Sequence, residues 1–217
     1  MWGAFTVVIA IIDYDLGNVA SIRNGFDRLG FQTILTDDPE RLNRCRALVL
    51  PGVGAFGSAM DKLKKKGLLD FLKEQQQKGV YMLGICLGLQ VLFENSKEDP
   101  DYDGIGFLPG QVTRFPPGLK VPHMGWSSII IEKADPLFER IPNGSYFYFA
   151  HSYYAPRSKN REIETIARGT YAVDFCAAVK KDNIYGLQFH PEKSGKIGLQ
   201  VLENFGRMVL HGNHSGN

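Results

Sequence analysis

The sequence predicts an α/β fold: an open, mixed, mostly parallel sheet flanked by helices, with an antiparallel extension. Three observations predict it. Apolar, β-branched runs alternate with segments of helical period through the first half of the chain. From Asp99 to Pro142 glycine and proline are frequent, apolar runs are short and helical period is absent, which reads as short antiparallel strands and loops. Beyond that stretch come further strand-like runs and one long amphipathic segment.

Taken in order, Val7–Asp13 is a β-branched run that reads as a buried strand. Asn18–Leu29 places Val19, Ile22, Phe26 and Leu29 on one helical face, and Gly30 closes it. Phe31–Leu35 and Arg46–Leu50 read as the next strands, the latter ending at Pro51-Gly52. A helical stretch through Leu63–Lys78 leads to an apolar strand at Val80, a sharp turn at Cys86 and a further apolar helix. Strands alternating with helices imply a parallel sheet covered on both faces, with chemistry at the carboxyl ends of the strands. Ser145–Ala150, Glu162–Ala167, Tyr171–Val179 and Ile184–Phe189 read as later strands, Ser194–Leu210 as the last helix, and His211–Asn217 as a frayed tail.

The chain has 217 residues, enough to bury a sizeable core, and no repeat or linker divides it, so residues 1–217 read as one domain. A formal net charge of +2, without a basic stripe interleaved with aromatics, argues against a nucleic-acid partner. The short run Lys62, Lys64, Lys65 and Lys66 reads as a solvated helix face. Cys45, Cys86 and Cys176 lie too far apart for a zinc site or a disulfide framework, which points to a reducing compartment and to no metal. The apolar start at Phe5–Ile12 is too short to span a bilayer and lacks a basic leader. The expectation is a cytoplasmic protein without a membrane segment, or one in a plastid after removal of a transit peptide.

The chemistry concentrates in one segment, Gly84-Ile-Cys86-Leu-Gly88, where a strand runs into a tight turn. This is the nucleophile-elbow pattern with cysteine in place of serine. A sulfur there would sit at a helix N-terminus, where the macrodipole favours thiolate. Such a nucleophile needs a base and the base needs an orienting acceptor. His190-Pro-Glu192 supplies both, after another apolar strand. Alone, the histidine could be a structural residue bonded to a turn; beside an elbow cysteine the pair is far more specific. Pro51-Gly-Val-Gly-Ala-Phe-Gly57 could be only a turn, or the oxyanion hole that attack on an amide requires. The amide of Leu87, next to the nucleophile, would pair there with that of Gly52 or Val53.

These motifs resemble the triad-type glutamine amidotransferases, which take ammonia from the glutamine side chain. The resemblance narrows to the glutaminase subunits of imidazole glycerol phosphate synthase, of histidine biosynthesis. The narrowing residues are Asp13-Tyr14 with Gly17-Asn18, the Pro51–Gly57 loop, Pro122-His-Met-Gly-Trp126, His151-Ser-Tyr-Tyr154 and Gln188-Phe-His-Pro-Glu-Lys-Ser-Gly195. It covers the chain from about Ile9 to Leu210, and implies a flavodoxin-like glutamine amidotransferase fold. It implies Cys86, His190 and Glu192 as catalytic residues and L-glutamine as substrate, with no cofactor. Gln90 and Glu98 match positions that help hold the amino-acid end of glutamine, and the backbone at Ser152 and Tyr153 matches the segment that receives its carboxylate. The implied partner is a cyclase subunit, a (β/α)8 barrel, in a heterodimer. His123, Met124, Trp126 and Lys193 are the candidate contact residues, although Trp126 would equally suit a small satellite core. The family usually has glycine where this chain has Asp15, and commonly Met where it has Leu89. Aspartate tolerates positive φ better than most side chains, so the implied outcome is a locally adjusted loop. A glutaminase subunit of another biosynthetic amidotransferase and a γ-glutamyl hydrolase are the alternatives.

Overall fold

A computed structural model describes residues 8–100, 102–157 and 163–212. Five strands form its parallel half: β1 (Val8–Ile12), β2 (Gln32–Thr36), β3 (Ala47–Leu50), β4 (Tyr81–Ile85) and β12 (Ile184–Leu187), in the order β2-β1-β3-β4-β12. The sheet then turns antiparallel through β11 (Val173–Lys181), β10 (Glu164–Tyr171), β7 (His123–Ile131) and β8 (Tyr146–His151). A smaller sheet joins β5 (Phe93–Ser96), β6 (Leu108–Arg114) and β9 (Tyr153–Tyr154). The expected mostly parallel sheet with an antiparallel extension is what forms.

Alternation along the strands fills a core on each face. Ile9 and Ile11 join one apolar cluster with Phe26, Phe205 and Phe149, whereas Ala10 and Ile12 join the other with Phe56, Leu63 and Leu72. Helices α1 (Val19–Arg28) and α6 (Gly195–His211) cover the first face, and α3 (Phe56–Lys65) and α4 (Leu68–Gln77) the second, with a single turn, α2 (Pro39–Leu42), before β3. No helix among the described residues is long and apolar enough to cross a membrane.

Four expectations need correction. The stretch expected as one helix over Leu63–Lys78 is two helices, because Gly67 adopts φ 68° and ends α3 before α4 begins. The helix after Cys86 is one turn, α5 (Leu87–Gln90). Its apolar continuation is a turn at Val91-Leu92 leading into β5, where Val91 and Glu94 carbonyls accept from Ile105 and Gly104 amides at 2.8 and 2.7 Å. The macrodipole argument for the sulfur lapses with that helix. The strand expected over Tyr171–Val179 forms as β11 but starts only at Val173, because Tyr171 ends β10 and the chain turns at Ala172 (φ 58°). The middle region holds a nine-residue strand, β7, and a parallel pair, β5 with β6, rather than only short antiparallel strands. Val7, Glu162 and the tail from 213 to 217 lie outside the described residues.

Candidate active site

Sheet register brings the three sequence motifs together. β3, β4 and β12 are parallel neighbours, with Leu50 opposite Gly84 and Leu187 opposite Ile85. Their carboxyl ends therefore present Pro51, Cys86 and Gln188 side by side, and the Cys86 amide donates to the Leu187 carbonyl at 2.7 Å. Cys86 sits at φ 56°, ψ −110°, a strained conformation for a residue with a side chain and one found at nucleophile elbows. The turn is tight enough that a Cβ on Gly88 would overlap the Leu50 carbonyl oxygen.

His190 follows β12, and the 3-10 turn Pro191–Lys193 folds Glu192 back so that its Oε1 lies 2.8 Å from His190 Nδ1. Both side chains are almost fully buried. Ser194 braces the turn by donating to the His190 carbonyl at 2.6 Å while its Oγ accepts the Tyr148 amide at 2.9 Å. Burial by itself would push the imidazole down, but hydrogen bonds to the Cys86 and Glu192 side chains overcome it and raise His190 to about 10. The arrangement keeps a proton on His190 beside the Cys86 sulfur.

A cleft of about 270 Å³ opens over these groups, lined by Cys86, Leu87, His190, Val53, Gln90 and Glu98 among others. Ser152, Tyr153 and Lys193 also line it, as do four residues not singled out as site residues from sequence: Gly54, Pro122, Ala150 and His151. Gln188, likewise not singled out, places Nε2 3.9 Å from the Cys86 sulfur and accepts from Gln90 at 3.1 Å. Each lies within or beside a quoted motif, so the signal was present; their facing depends on strand pairing. Gly52 does not line the cleft. It is buried beneath, where a Cβ would meet Leu87, Gly88 and the Tyr14 hydroxyl.

Gln90 donates to the Tyr153 carbonyl at 2.8 Å. Glu98 Oε2 accepts the Phe56 amide at 3.1 Å, which ties down the far end of the glycine loop; burial raises its carboxyl, partly offset by that bond. The near end is fixed by Tyr14, whose buried hydroxyl donates to the Pro51 carbonyl. Asp15 does take positive φ, 63°, and its backbone and carboxylate are held by Lys62 and Lys66.

The candidate contact residues divide. Met124 and Trp126 are exposed by 63% and 55%, on the outward positions of β7. Lys193 is exposed, with Nζ 5.7 Å from the centre of the Tyr148 ring. His123 is not at the surface: strand alternation turns it inward, opposite His151, and it is 4% exposed.

The class-I glutamine amidotransferase family model matches residues 10–209. The chain belongs to that family. Subunit HisH of imidazole glycerol phosphate synthase from Moorella thermoacetica is 46% identical over 96% of this chain and 98% of its own. The corresponding subunit of Methanothermobacter thermautotrophicus is 50% identical over 93% of this chain and 99% of its own. Among solved structures, PurLQS from Thermotoga maritima aligns with a TM-score of 0.74 at 19% identity, over 94% of this chain and 100% of that one. A glutamine amidotransferase crystal structure aligns at 0.72 and 20% identity, over 91% and 98%. At those identities the structural matches speak for the fold alone.

Proposed function

We propose that this chain, read as one domain over 1–217, is the glutaminase subunit of imidazole glycerol phosphate synthase. It hydrolyses L-glutamine to glutamate and passes the ammonia to a cyclase partner. The observation that carries the chemistry is the cleft lined by Cys86 and His190, with buried Glu192 holding the His190 ring at Nδ1. Near-full-length identity of 46–50% to HisH subunits carries the choice of pathway.

In this reading the Cys86 sulfur attacks the side-chain carbonyl carbon of glutamine and the carbonyl electrons move onto oxygen. The Leu87 amide and an amide of the Gly52–Val53 segment stabilise that oxyanion, each donor contributing about 3 kcal/mol. The tetrahedral intermediate collapses, His190 gives its proton to the departing nitrogen, and ammonia leaves a γ-glutamyl thioester on Cys86. Glu192 holds the ring through Nδ1 so that the other nitrogen faces sulfur. His190, now neutral, takes a proton from water as it attacks the thioester, and glutamate departs with the thiol restored. Gln90, Glu98 and the Ser152–Tyr153 backbone receive the amino-acid end of glutamine.

Free ammonia is largely protonated in neutral water and loses its nucleophilic pair, so a synthesis that uses it needs a protected route. The partner is a cyclase subunit, a (β/α)8 barrel, and the exposed Met124 and Trp126 with Lys193 form the face it meets. Three free, buried cysteines suit the reducing cytoplasm in which we place the heterodimer.

The test is to mix the chain with purified cyclase and follow glutamine-dependent turnover of the ribonucleotide substrate. Turnover is expected, with weak glutaminase activity for the chain alone. Cys86→Ala should cut glutamine-dependent turnover by about 10⁴-fold or more while the ammonium-driven reaction of the complex survives. Substantial retained glutaminase activity in that variant would remove Cys86 from its role.

A further inference from the structure

The proposed mechanism makes no use of a chain of hydrogen bonds behind the cleft wall. The Tyr153 carbonyl accepts from His151 Nδ1 at 2.8 Å as well as from Gln90. His151 Nε2 lies 3.1 Å from His123 Nδ1, and His123 Nε2 lies 2.8 Å from the Ser127 hydroxyl. A carbonyl oxygen can only accept, so His151 must carry a proton on Nδ1. A neutral His151 then offers a lone pair at Nε2, which takes the proton of His123 Nδ1. His123 is left with a bare Nε2, and the Ser127 hydroxyl donates to it. One carbonyl thus sets the tautomer of both rings and the direction of all three bonds.

The packing leaves these rings no alternative. His123 and His151 are paired across β7 and β8 and are 4% and 5% exposed. His123 stacks on Tyr171 and Phe149 with centroids 4.3 and 5.1 Å away, while Phe115 and Phe175 meet both histidines. Burial holds His151 down at about 3, helped by the charge of His190, and burial lowers His123 as well, so the chain stays neutral. Two neutral rings are an efficient way to set the position of a backbone carbonyl, because a donor of fixed direction admits one orientation of its acceptor.

We infer that Ser127, His123 and His151 are positioning residues for glutamine binding: their directed hydrogen bonds fix the Tyr153 carbonyl and, with it, the Ser152–Tyr153 wall of the cleft. This rests on the glutaminase reading above. It also ties that wall to β7, the strand whose outward residues are Met124 and Trp126.

The experiment measures glutamine binding by calorimetry in the Cys86→Ala complex with cyclase, which retains substrate, and kcat and KM in the active complex. His123→Phe keeps the stacked ring and removes both nitrogens; His123→Asn restores a donor towards His151. The expected result is a rise of about 10-fold in Kd and KM for His123→Phe, with kcat within about twofold, and recovery of most of it in His123→Asn. Ser127→Ala should give a smaller rise in the same direction. Unchanged Kd and KM in a folded His123→Phe variant, or a loss confined to kcat, overturns the inference alone. Failure of the Cys86→Ala parent to bind glutamine at all overturns the glutaminase reading and this inference with it. Should His123→Phe fail to fold, ¹⁵N imidazole spectra of the wild-type complex decide: both rings are expected as the Nδ1–H tautomer at neutral pH, and an Nε2–H tautomer on either overturns the proposal.

Discussion

The two sides of the cleft are held in different ways. The nucleophile side is fixed by backbone and packing. The Cys86 amide is bonded to Leu187, the Cys86 carbonyl accepts from Gln90, and Gly88 is pressed against Leu50. The substrate-facing side is fixed by side chains: Tyr14 on Pro51, Glu98 on Phe56, and Gln90 with His151 on Tyr153. Between its two anchors the glycine loop is open, with Val53 41% exposed and Gly54 at φ 110°, where an added Cβ would meet only Leu16. A backbone ladder gives one geometry, whereas single side-chain bonds leave a segment that a ligand or partner can reseat. In the proposed mechanism the nucleophile is thereby ready in advance, and control of the chemistry falls to the glycine loop proposed as the oxyanion hole and to the wall.

If that contrast is right, the severest lesion belongs to the nucleophile side. A methyl at Gly88 would drive into the Leu50 carbonyl, which is backbone in a central strand and cannot yield. Gly88→Ala should cost about 4 kcal/mol or more in thermal unfolding, with loss of glutaminase activity. A well-folded, active Gly88→Ala protein would show the elbow to be looser than the strand register implies.

Titration offers the next largest effect, because the side-chain-held wall depends on a histidine staying neutral. His151 is held down at about 3 by burial, against an ordinary value near 6.5 in the unfolded chain. A depressed histidine binds protons more weakly when folded. Its stability contribution is therefore intact above pH ~6.5 and is lost as pH falls from there towards 3. Between pH 7 and pH 5 the loss is on the order of 2 kcal/mol. His123, lowered by burial, adds in the same direction. His190 has the opposite sign, since its raised value makes its contribution full below pH ~6.5 and lost as pH rises through about 10. Denaturant unfolding of wild type and His151→Phe at both pH values separates them: the decline should be markedly shallower in the variant. Equal slopes would mean that His151 is not the neutral group described above.

How much of this was legible without coordinates follows from the range of each signal. Cys86, His190 and Glu192 announce themselves because each motif is local and each follows a strand, so the parallel-sheet rule alone puts them at one edge. The glycine loop was legible as a loop, but its anchors were not, since Tyr14 reaches Pro51 from beyond β1 and Glu98 reaches Phe56 from beyond β5. His123 was misplaced for a similar reason. Its motif marks a surface strand correctly, yet which residues of β7 face outward is fixed by pairing with β8. The helix after Cys86 was overextended because Val91-Leu-Phe93, all buried, continues the apolar spacing although Val91 and Leu92 form a turn and Phe93 opens β5. Periodicity cannot separate helix from strand in so short a run.

Tyr14 gives a smaller and more pointed test. Tyr14→Phe preserves the buried ring and removes only the donor to the Pro51 carbonyl, freeing the near anchor of the glycine loop. A missing hydrogen bond to a buried carbonyl is worth about 1.4 kcal/mol, so kcat of the complex should fall about 10-fold while KM holds. A change in KM alone would move Tyr14 out of the oxyanion loop's support and into substrate binding.

The mildest effect is expected one layer further out, at Asp15. Lys66 reaches Asp15 at 3.3 Å and Asp37 at 2.6 Å, but the acids are 62% and 49% exposed. Ion pairs so open to water contribute about 0.5 kcal/mol each and are screened by salt. Asp15 neighbours Tyr14, so a brace there could in principle stiffen the near anchor of the loop. The energies decide against a large role: a pair worth well under the hydroxyl bond it supports cannot govern that bond. Lys66→Met should therefore lower stability by about 1 kcal/mol or less and leave kcat within about twofold, with the difference from wild type vanishing in high salt. A several-fold fall in kcat at low salt, recovered by neither salt nor partner, would show that control of the oxyanion loop begins at the surface rather than at Tyr14.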